Sequence, residues 1–315
     1  MRRFAPLGQA AQRAWPERIS AGRAQPIVRD TLPKDHFKKP WRERSRFSSP
    51  EGSRTATPQR AKSPQRDIAK RPSRDDAEGP LRLFGLHAVE AALRNPARRI
   101  HRLLLTENAE RRLIETLGPI TAKIDRVTPR DLDRLLGPDT VHQGVVLETE
   151  PLPEPRWDDL ARASDGRPLI VLDQVTDPHN VGAILRSSAV FGASGLVMTH
   201  RHSPPLNGVL AKSASGALEL IPVALVANLA RALEELRDAG FALVGLDGGA
   251  DAAIEDLDWS RPTALVMGSE GKGLRELTRK TCDTLVRIST DGPVASLNVS
   301  NAAAIALYAA MRARK

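Results

Sequence analysis

The chain has 315 residues, 41% hydrophobic and 27% charged, which supplies a sizeable core and excludes a wholly disordered chain. Its net charge of +9 is concentrated at one end: residues 1–80 hold 19 basic and 9 acidic side chains, whereas the remaining 28 basic and 29 acidic groups nearly cancel. One cysteine, Cys282, excludes an internal disulfide and a thiolate metal cluster, and no run approaches the roughly 18 apolar residues of a bilayer span. These features predict a cytoplasmic protein with no membrane partner and no metal.

Residues 1–80 carry 10 of the 24 prolines and almost no apolar periodicity, so they are expected to form a disordered basic Pro/Ser/Arg-rich tail. Such a block is either a linker-like extension or an arm that neutralises phosphates, and it makes nucleic acid the leading partner class. From Leu81 the texture changes. Leu86, Val89, Ala92 and Leu93 recur at helical spacing, and Ile100–Leu105 reads as a strand. Helical 107–117, a short strand near 124–127, helical 129–136 and a strand at 144–148 complete a small α/β domain over 81–150. Pro151, Pro153 and Pro155 then mark a linker over 151–166.

The second domain, 167–315, opens with the apolar run Leu169–Leu172. Helices at 181–191, 207–217, 228–238, 274–280 and 298–312 alternate with strands at 195–199, 220–226, 241–246, 263–267 and 284–289. This alternation predicts an α/β fold, a mostly parallel sheet covered on both faces, with ligands bound beyond the strands' carboxyl ends.

Three segments follow strands in that domain. In Asp173–Arg186, Asn180 is either a helix cap or a polar group facing the crevice, and Arg186 is either a surface cation or directed into it. In Gly268-Ser269-Glu270-Gly271-Lys272-Gly273-Leu274, three glycines permit close backbone approach or positive φ. The spacing departs from a Walker loop, which excludes a nucleoside triphosphate site of that kind. In Ile288–Ala304, Ser296 and Asn298 are capping types, and Ala302–Ala304 let a helix pack closely, including against a second subunit. His87, His142 and His179 share no metal-ligand spacing. Arg98, Arg99 and Arg102 flank a strand of the small domain, where they either bind nucleic-acid phosphates or form a solvated rim. With only 3% aromatics, nucleic-acid recognition is expected to use shape, phosphates and a splayed nucleotide rather than a stacking platform.

Together and in this order, the three segments resemble the SpoU/TrmH family of RNA ribose 2′-O-methyltransferases over about residues 169–312. Phe84–Val89, His142–Val145 and Lys212–Glu219 look like the bacterial branch that carries a small substrate-binding domain and methylates a guanosine of 23S ribosomal RNA, in the loop that binds the peptidyl-site tRNA. The resemblance implies a SPOUT-type parallel sheet with a C-terminal trefoil knot, a homodimer that completes the active site, and S-adenosylmethionine as methyl donor. The substrate it implies is 23S rRNA or a ribosomal precursor. It places Gly268, Ile288 and Leu297, with Gly271 and Gly273 beside them, against the cofactor, and gives Asn180, Arg186, Glu270, Ser296 and Asn298 the catalytic positions. The sequence departs from the family's usual Pro-Met after the strand isoleucine, with Ser289-Thr290 instead, which implies a reshaped cofactor rim. Two other readings stand beside this one: a tRNA 2′-O-ribose methyltransferase, and a catalytically silent RNA-binding ribosome-assembly factor.

Overall fold

The computed structural model describes residues 79–292 and 297–314. The expected tail, save its last two residues, and Ser296 therefore lie outside the described residues.

The first sheet contains β1 (Leu81–Phe84), β2 (Ile100–Leu105), β3 (Ile124–Arg126) and β4 (Val145–Thr149), in the order β1-β4-β2-β3. Strand β4 runs antiparallel to both neighbours, while β2 and β3 are parallel. Alternation along the strands gives each face its own core. Leu83, Leu103, Leu105, Val145 and Leu147 pack beneath α1 (Leu86–Arg94) and α2 (Glu107–Leu117), and Phe84, Leu104 and Val146 meet Leu132 of α3 (Pro129–Leu136). The Thr106 hydroxyl caps α2, and Thr128 with Asp131 forms a capping box at α3, where Pro129 supplies a preset φ.

The second sheet is all-parallel. Its strands are β5 (Leu169–Asp173), β6 (Gly195–Thr199), β7 (Val223–Val226), β8 (Ala242–Leu246), β9 (Ala252–Ala253), β10 (Thr263–Gly268) and β11 (Thr284–Arg287), in the order β7-β6-β5-β10-β8-β11-β9. Every residue of β5 is buried. Ile170 and Leu172 pack with α5 (Pro178–Phe191), α6 (Gly208–Ser213) and α9 (Val299–Ala313), and Leu169 and Val171 with α4 (Trp157–Arg162) and α7 (Leu229–Asp238). The remaining helix, α8 (Glu276–Thr281), packs on α7. From β5 the strand order runs one way to β6 and β7 and the other way to β10, β8 and β11. The carboxyl ends of β5 and β10, where Asp173 and Gly268 are paired, therefore form the switch point at which such sheets bind ligands.

The predicted parallel sheet with helices on both faces is what the structure shows. Local boundaries differ for identifiable reasons. Helix α4 falls where a linker is predicted, because Leu160 and Ala161 bury themselves in the second core. The predicted helix 207–217 stops at Ser213, since Ser215 and Gly216 adopt φ of 50° and 91° ahead of a 3-10 turn, Ala217–Glu219. Helix α5 begins three residues early. Asp177 caps it by accepting from the His179 N–H at 2.9 Å, and Pro178 opens its first turn, so Asn180 is not the cap.

Candidate active site

Strand β10 ends in a glycine loop whose conformation only these residues allow. The Ser269 N–H donates to the Gly273 carbonyl at 3.1 Å and the Gly273 N–H to the Ser269 carbonyl at 2.8 Å, which folds Gly268–Leu274 back on itself. Gly271 and Gly273 take φ of 80° and 66°. Gly268 is there for proximity, because a Cβ on it would lie 2.0 Å from the Gly273 carbonyl carbon. The loop is tied to the centre of the sheet by the fully buried carboxylate of Asp173, which accepts from the Arg275 N–H at 3.0 Å and from its Nε at 2.7 Å.

Between this loop and the ends of β8 and β11 lies a cavity of about 470 Å³. Gly268, Gly271, Gly273, Ile288 and Leu297, the five residues that the family resemblance marks for a cofactor, all line it, as does Glu270. Leu246, Met267 and Val299 supply further apolar wall, and Thr290 shows that the departing Ser289-Thr290 pair reaches the rim. The sequence reading missed Asp247 and Arg279, which also line the cavity and pair at 3.2 Å. The signal was present, since Asp247-Gly248-Gly249 directly follows a predicted strand end.

Three of the residues marked for catalysis converge beside the cavity. Asn298 Nδ2 donates to Asn180 Oδ1 at 2.9 Å and lies 3.4 Å from Glu270 Oε2, which Asn180 Nδ2 approaches at 3.5 Å. These groups come from the first turn of α5, the glycine loop and the start of α9. Asn298 is also the cap of α9, its Oδ1 accepting from the Ser300 N–H at 2.9 Å. Arg186 is not brought to them. It lies on the exposed side of α5, does not line the cavity, and has no hydrogen bond or ion pair among the described residues.

The SpoU rRNA methylase family profile matches residues 167–308, and an RNA 2′-O ribose methyltransferase substrate-binding profile matches residues 82–155. The 23S rRNA (guanosine-2′-O-)-methyltransferase RlmB of Pseudomonas aeruginosa is 41% identical over 241 residues, 74% of this chain and 96% of that protein. The chain belongs to the SpoU rRNA methylase family. The RlmB of Ralstonia nicotianae is 44% identical over 237 residues, 74% of this chain and 95% of its own length. Among solved SpoU structures, the methyltransferase AviRb from Streptomyces viridochromogenes, in complex with the cofactor AdoMet, superposes with a TM-score of 0.63 at 28% identity, covering 75% of this chain and 91% of that one.

In this SpoU chain the three small-sheet arginines divide. Arg98 is corrected from an RNA contact to a buried structural cation, its side chain 1% exposed and paired with Glu219. Arg102 is held by Glu148 at 2.7 Å and Asp125 at 3.2 Å, and Arg82 joins the same Glu148 at 3.1 Å. These pairs hold the Glu148 carboxyl below the ordinary range, through hydrogen bonding by Arg102 first and by Arg82 next. Arg99 alone of the three is well exposed, 81% by side chain, with a 3.6 Å contact to Glu150. Cys282, the residue that ends α8, is half-buried, and burial pushes its thiol up to about 12.

Proposed function

We propose that this protein methylates the ribose 2′-hydroxyl of a guanosine in 23S ribosomal RNA, with S-adenosylmethionine as donor. The observation that carries the reading is the meeting of Asn180, Glu270 and Asn298 at the mouth of a cavity beyond the β10 carboxyl end. Its residues suit the donor: apolar walls from Leu246, Ile288 and Leu297 for a purine, glycine-loop backbone for hydrogen bonds, and carboxylates of Asp247 and Glu270 for hydroxyls and positive charge. The relatives named RlmB at 41% and 44% identity favour 23S rRNA over tRNA, and the assembled polar trio disfavours a silent assembly factor.

In this reading, bound S-adenosylmethionine supplies an electrophilic methyl group on a positively charged sulfur. In-line attack then requires an aligned ribose and stabilisation of the charge growing on its oxygen. Asn180, Glu270 and Asn298 fix the three loops against one another, and Gly268, Gly271, Gly273, Ile288 and Leu297 form the cofactor's walls. Ser296 belongs to the same set by its position in the third motif. Arg186 stabilises the developing oxyanion as a guanidinium, which stays protonated, and a substrate phosphate accepts the proton.

Arg186 performs this role across a homodimer. It shares the exposed side of α5 with Val190, one turn on and 69% exposed, and Ile305 and Tyr308 of α9 are 39% and 50% exposed. The two helices run side by side, joined by Asn180–Asn298 at one end and by the Phe191–Tyr308 ring contact, 5.9 Å between centroids, at the other. A two-fold pairing over this apolar strip buries it and delivers each Arg186 to the partner's cavity. The trefoil knot, the division into an RNA-holding part at 81–150 and a catalytic part at 167–315, and cytoplasmic action belong to the same reading. Among the described residues no helix is long and apolar enough to cross a membrane.

The test is transfer of labelled methyl from S-adenosylmethionine to RNA from a bacterial strain lacking the protein, followed by mapping of the modified ribose. Label at one 23S guanosine is the expected result. Label on tRNA moves the substrate, and absence of label from both naked rRNA and ribosomal precursors overturns the reading.

A further inference from the structure

Arg98 stands just ahead of β2 in the small sheet, and Glu219 closes the 3-10 turn after α6 on the other sheet's side. Their side chains are 1% and 3% exposed, so the salt bridge between them, spanning 121 residues, is sealed from water. The Glu219 carboxylate accepts from Arg98 Nη2 at 2.5 Å, from Arg98 Nε at 3.3 Å and from Asn95 Nδ2 at 2.8 Å. Arg98 Nη1 donates to the Glu150 carbonyl at 2.9 Å. A buried pair of this kind adds little stability over an apolar isostere, because both charges must be desolvated. What the guanidinium–carboxylate fork imposes is direction.

Beside this pair, helix α6 packs against both halves at glycine positions that leave no space for a larger residue. A Cβ on Gly208 would meet the Arg82 carbonyl oxygen at 2.3 Å and the Phe84 ring at 2.6 Å. On its other side, a Cβ on Gly182 of α5 would fall 2.5 Å from Ser213 Cβ. The small sheet thus bears on α6, and α6 bears on the helix that carries Asn180 and Arg186. Packing this close at Gly208 and Gly182 resists sliding of α6 against either neighbour.

We infer that the Arg98–Glu219 pair and α6 form a fixed spacer between the small sheet and the catalytic helix, and that this spacer selects which ribose of the bound RNA is methylated. The inference rests on the proposed rRNA methylation. Arg98 and Glu219 are positioning residues, and neither needs to touch RNA. An RNA gripped on the small sheet presents one nucleotide at the reacting centre only while the distance between the two is constant, and a misplacement of about 1 Å costs up to about 100-fold in rate.

The test is the double variant Arg98→Met/Glu219→Leu, which removes the fork and leaves no lone buried charge. Its kcat and KM for a 23S rRNA fragment, its S-adenosylmethionine affinity and its methylation map are compared with wild type. The expected result is unchanged cofactor affinity, a fall in kcat/KM of at least about 10-fold, and methyl groups appearing on neighbouring riboses. A second measurement covers both proteins with spin labels on Ile114→Cys and Leu277→Cys, two exposed positions on opposite halves. The double variant should broaden the label–label distance distribution. A single methylation site with wild-type kcat/KM overturns the inference, as does an unchanged distance distribution, or a loss in which cofactor affinity falls in parallel with turnover. Wild-type protein that methylates neither a 23S fragment nor a ribosomal precursor removes the proposed function itself, a result distinct from wild-type activity that the double variant leaves unaltered.

Discussion

Asn298 joins two loops 118 residues apart while capping its own helix: its Nδ2 donates to Asn180 Oδ1 at 2.9 Å, and its Oδ1 accepts from the Ser300 N–H at 2.9 Å. One side chain therefore couples the start of α9 to the start of α5, with Glu270 3.4 Å away.

Two substitutions separate these duties. Asn298→Ala should cost about 1 kcal/mol of stability through the lost cap and abolish most methyl transfer. Asn298→Asp keeps a good cap but sets a carboxylate against Glu270, so near-wild-type stability with activity lost is expected. Thermal melts beside methyl-transfer rates check both. An active Asn298→Asp enzyme would show that the donated hydrogen bonds are dispensable.

Gly268→Ala places a methyl group where the Gly273 backbone already lies, 2.0 Å from its carbonyl carbon. The glycine loop must move. The expected outcome is a loss of about 1–3 kcal/mol in stability and at least about 10-fold weaker S-adenosylmethionine binding, read by calorimetry on the folded variant. Unchanged binding would place the cofactor elsewhere.

Arg186→Ala should leave stability within about 0.5 kcal/mol, since the side chain is exposed and makes no bond among the described residues, yet it should remove turnover. Mixing it with Gly268→Ala tests the homodimer. Each heterodimer regains one complete site, so an exchanged equal mixture should recover about a quarter of wild-type activity. No recovery after subunit exchange would assign Arg186 to its own chain's site.

The small sheet carries a pH-dependent contribution. The Glu148 carboxyl is lowered by Arg102 and Arg82, so its stabilisation is present above the ordinary carboxylate value of 4.5 and is lost as pH falls through the lowered folded-state value. Arg102→Ala reduces that lowering. Its Tm deficit relative to wild type should therefore be greatest near neutral pH and shrink in acid, as differential scanning calorimetry between pH 3 and 7 would show. A deficit independent of pH would mean that Arg102 acts by packing alone.

Several features were legible in the residues themselves. The unbroken run Leu169–Leu172 reads as a doubly covered strand because successive side chains point to opposite faces. The spacing of Gly268, Gly271 and Gly273 reads as a tight loop because glycine takes the conformations of Gly271 and Gly273 without penalty and lets the backbone approach closely at Gly268. Asn298 reads as a cap because its side chain serves N–H groups that α9 leaves unpaired. All three depend on interactions within a few residues.

The tertiary structure decided which polar groups meet. Arg98, Arg99 and Arg102 look alike in sequence, yet one is sealed against Glu219, one is held between two carboxylates and one faces water. Asn180 reads equally well as the cap of α5, until Asp177 takes that place and the arrival of α9 gives Asn180 a partner. Strand order differs from chain order, with β10 inserted between β5 and β8, so contacts across the switch point have no counterpart in sequence spacing. The burial of a charge depends in the same way on what packs over it, and short-range periodicity carries no record of that.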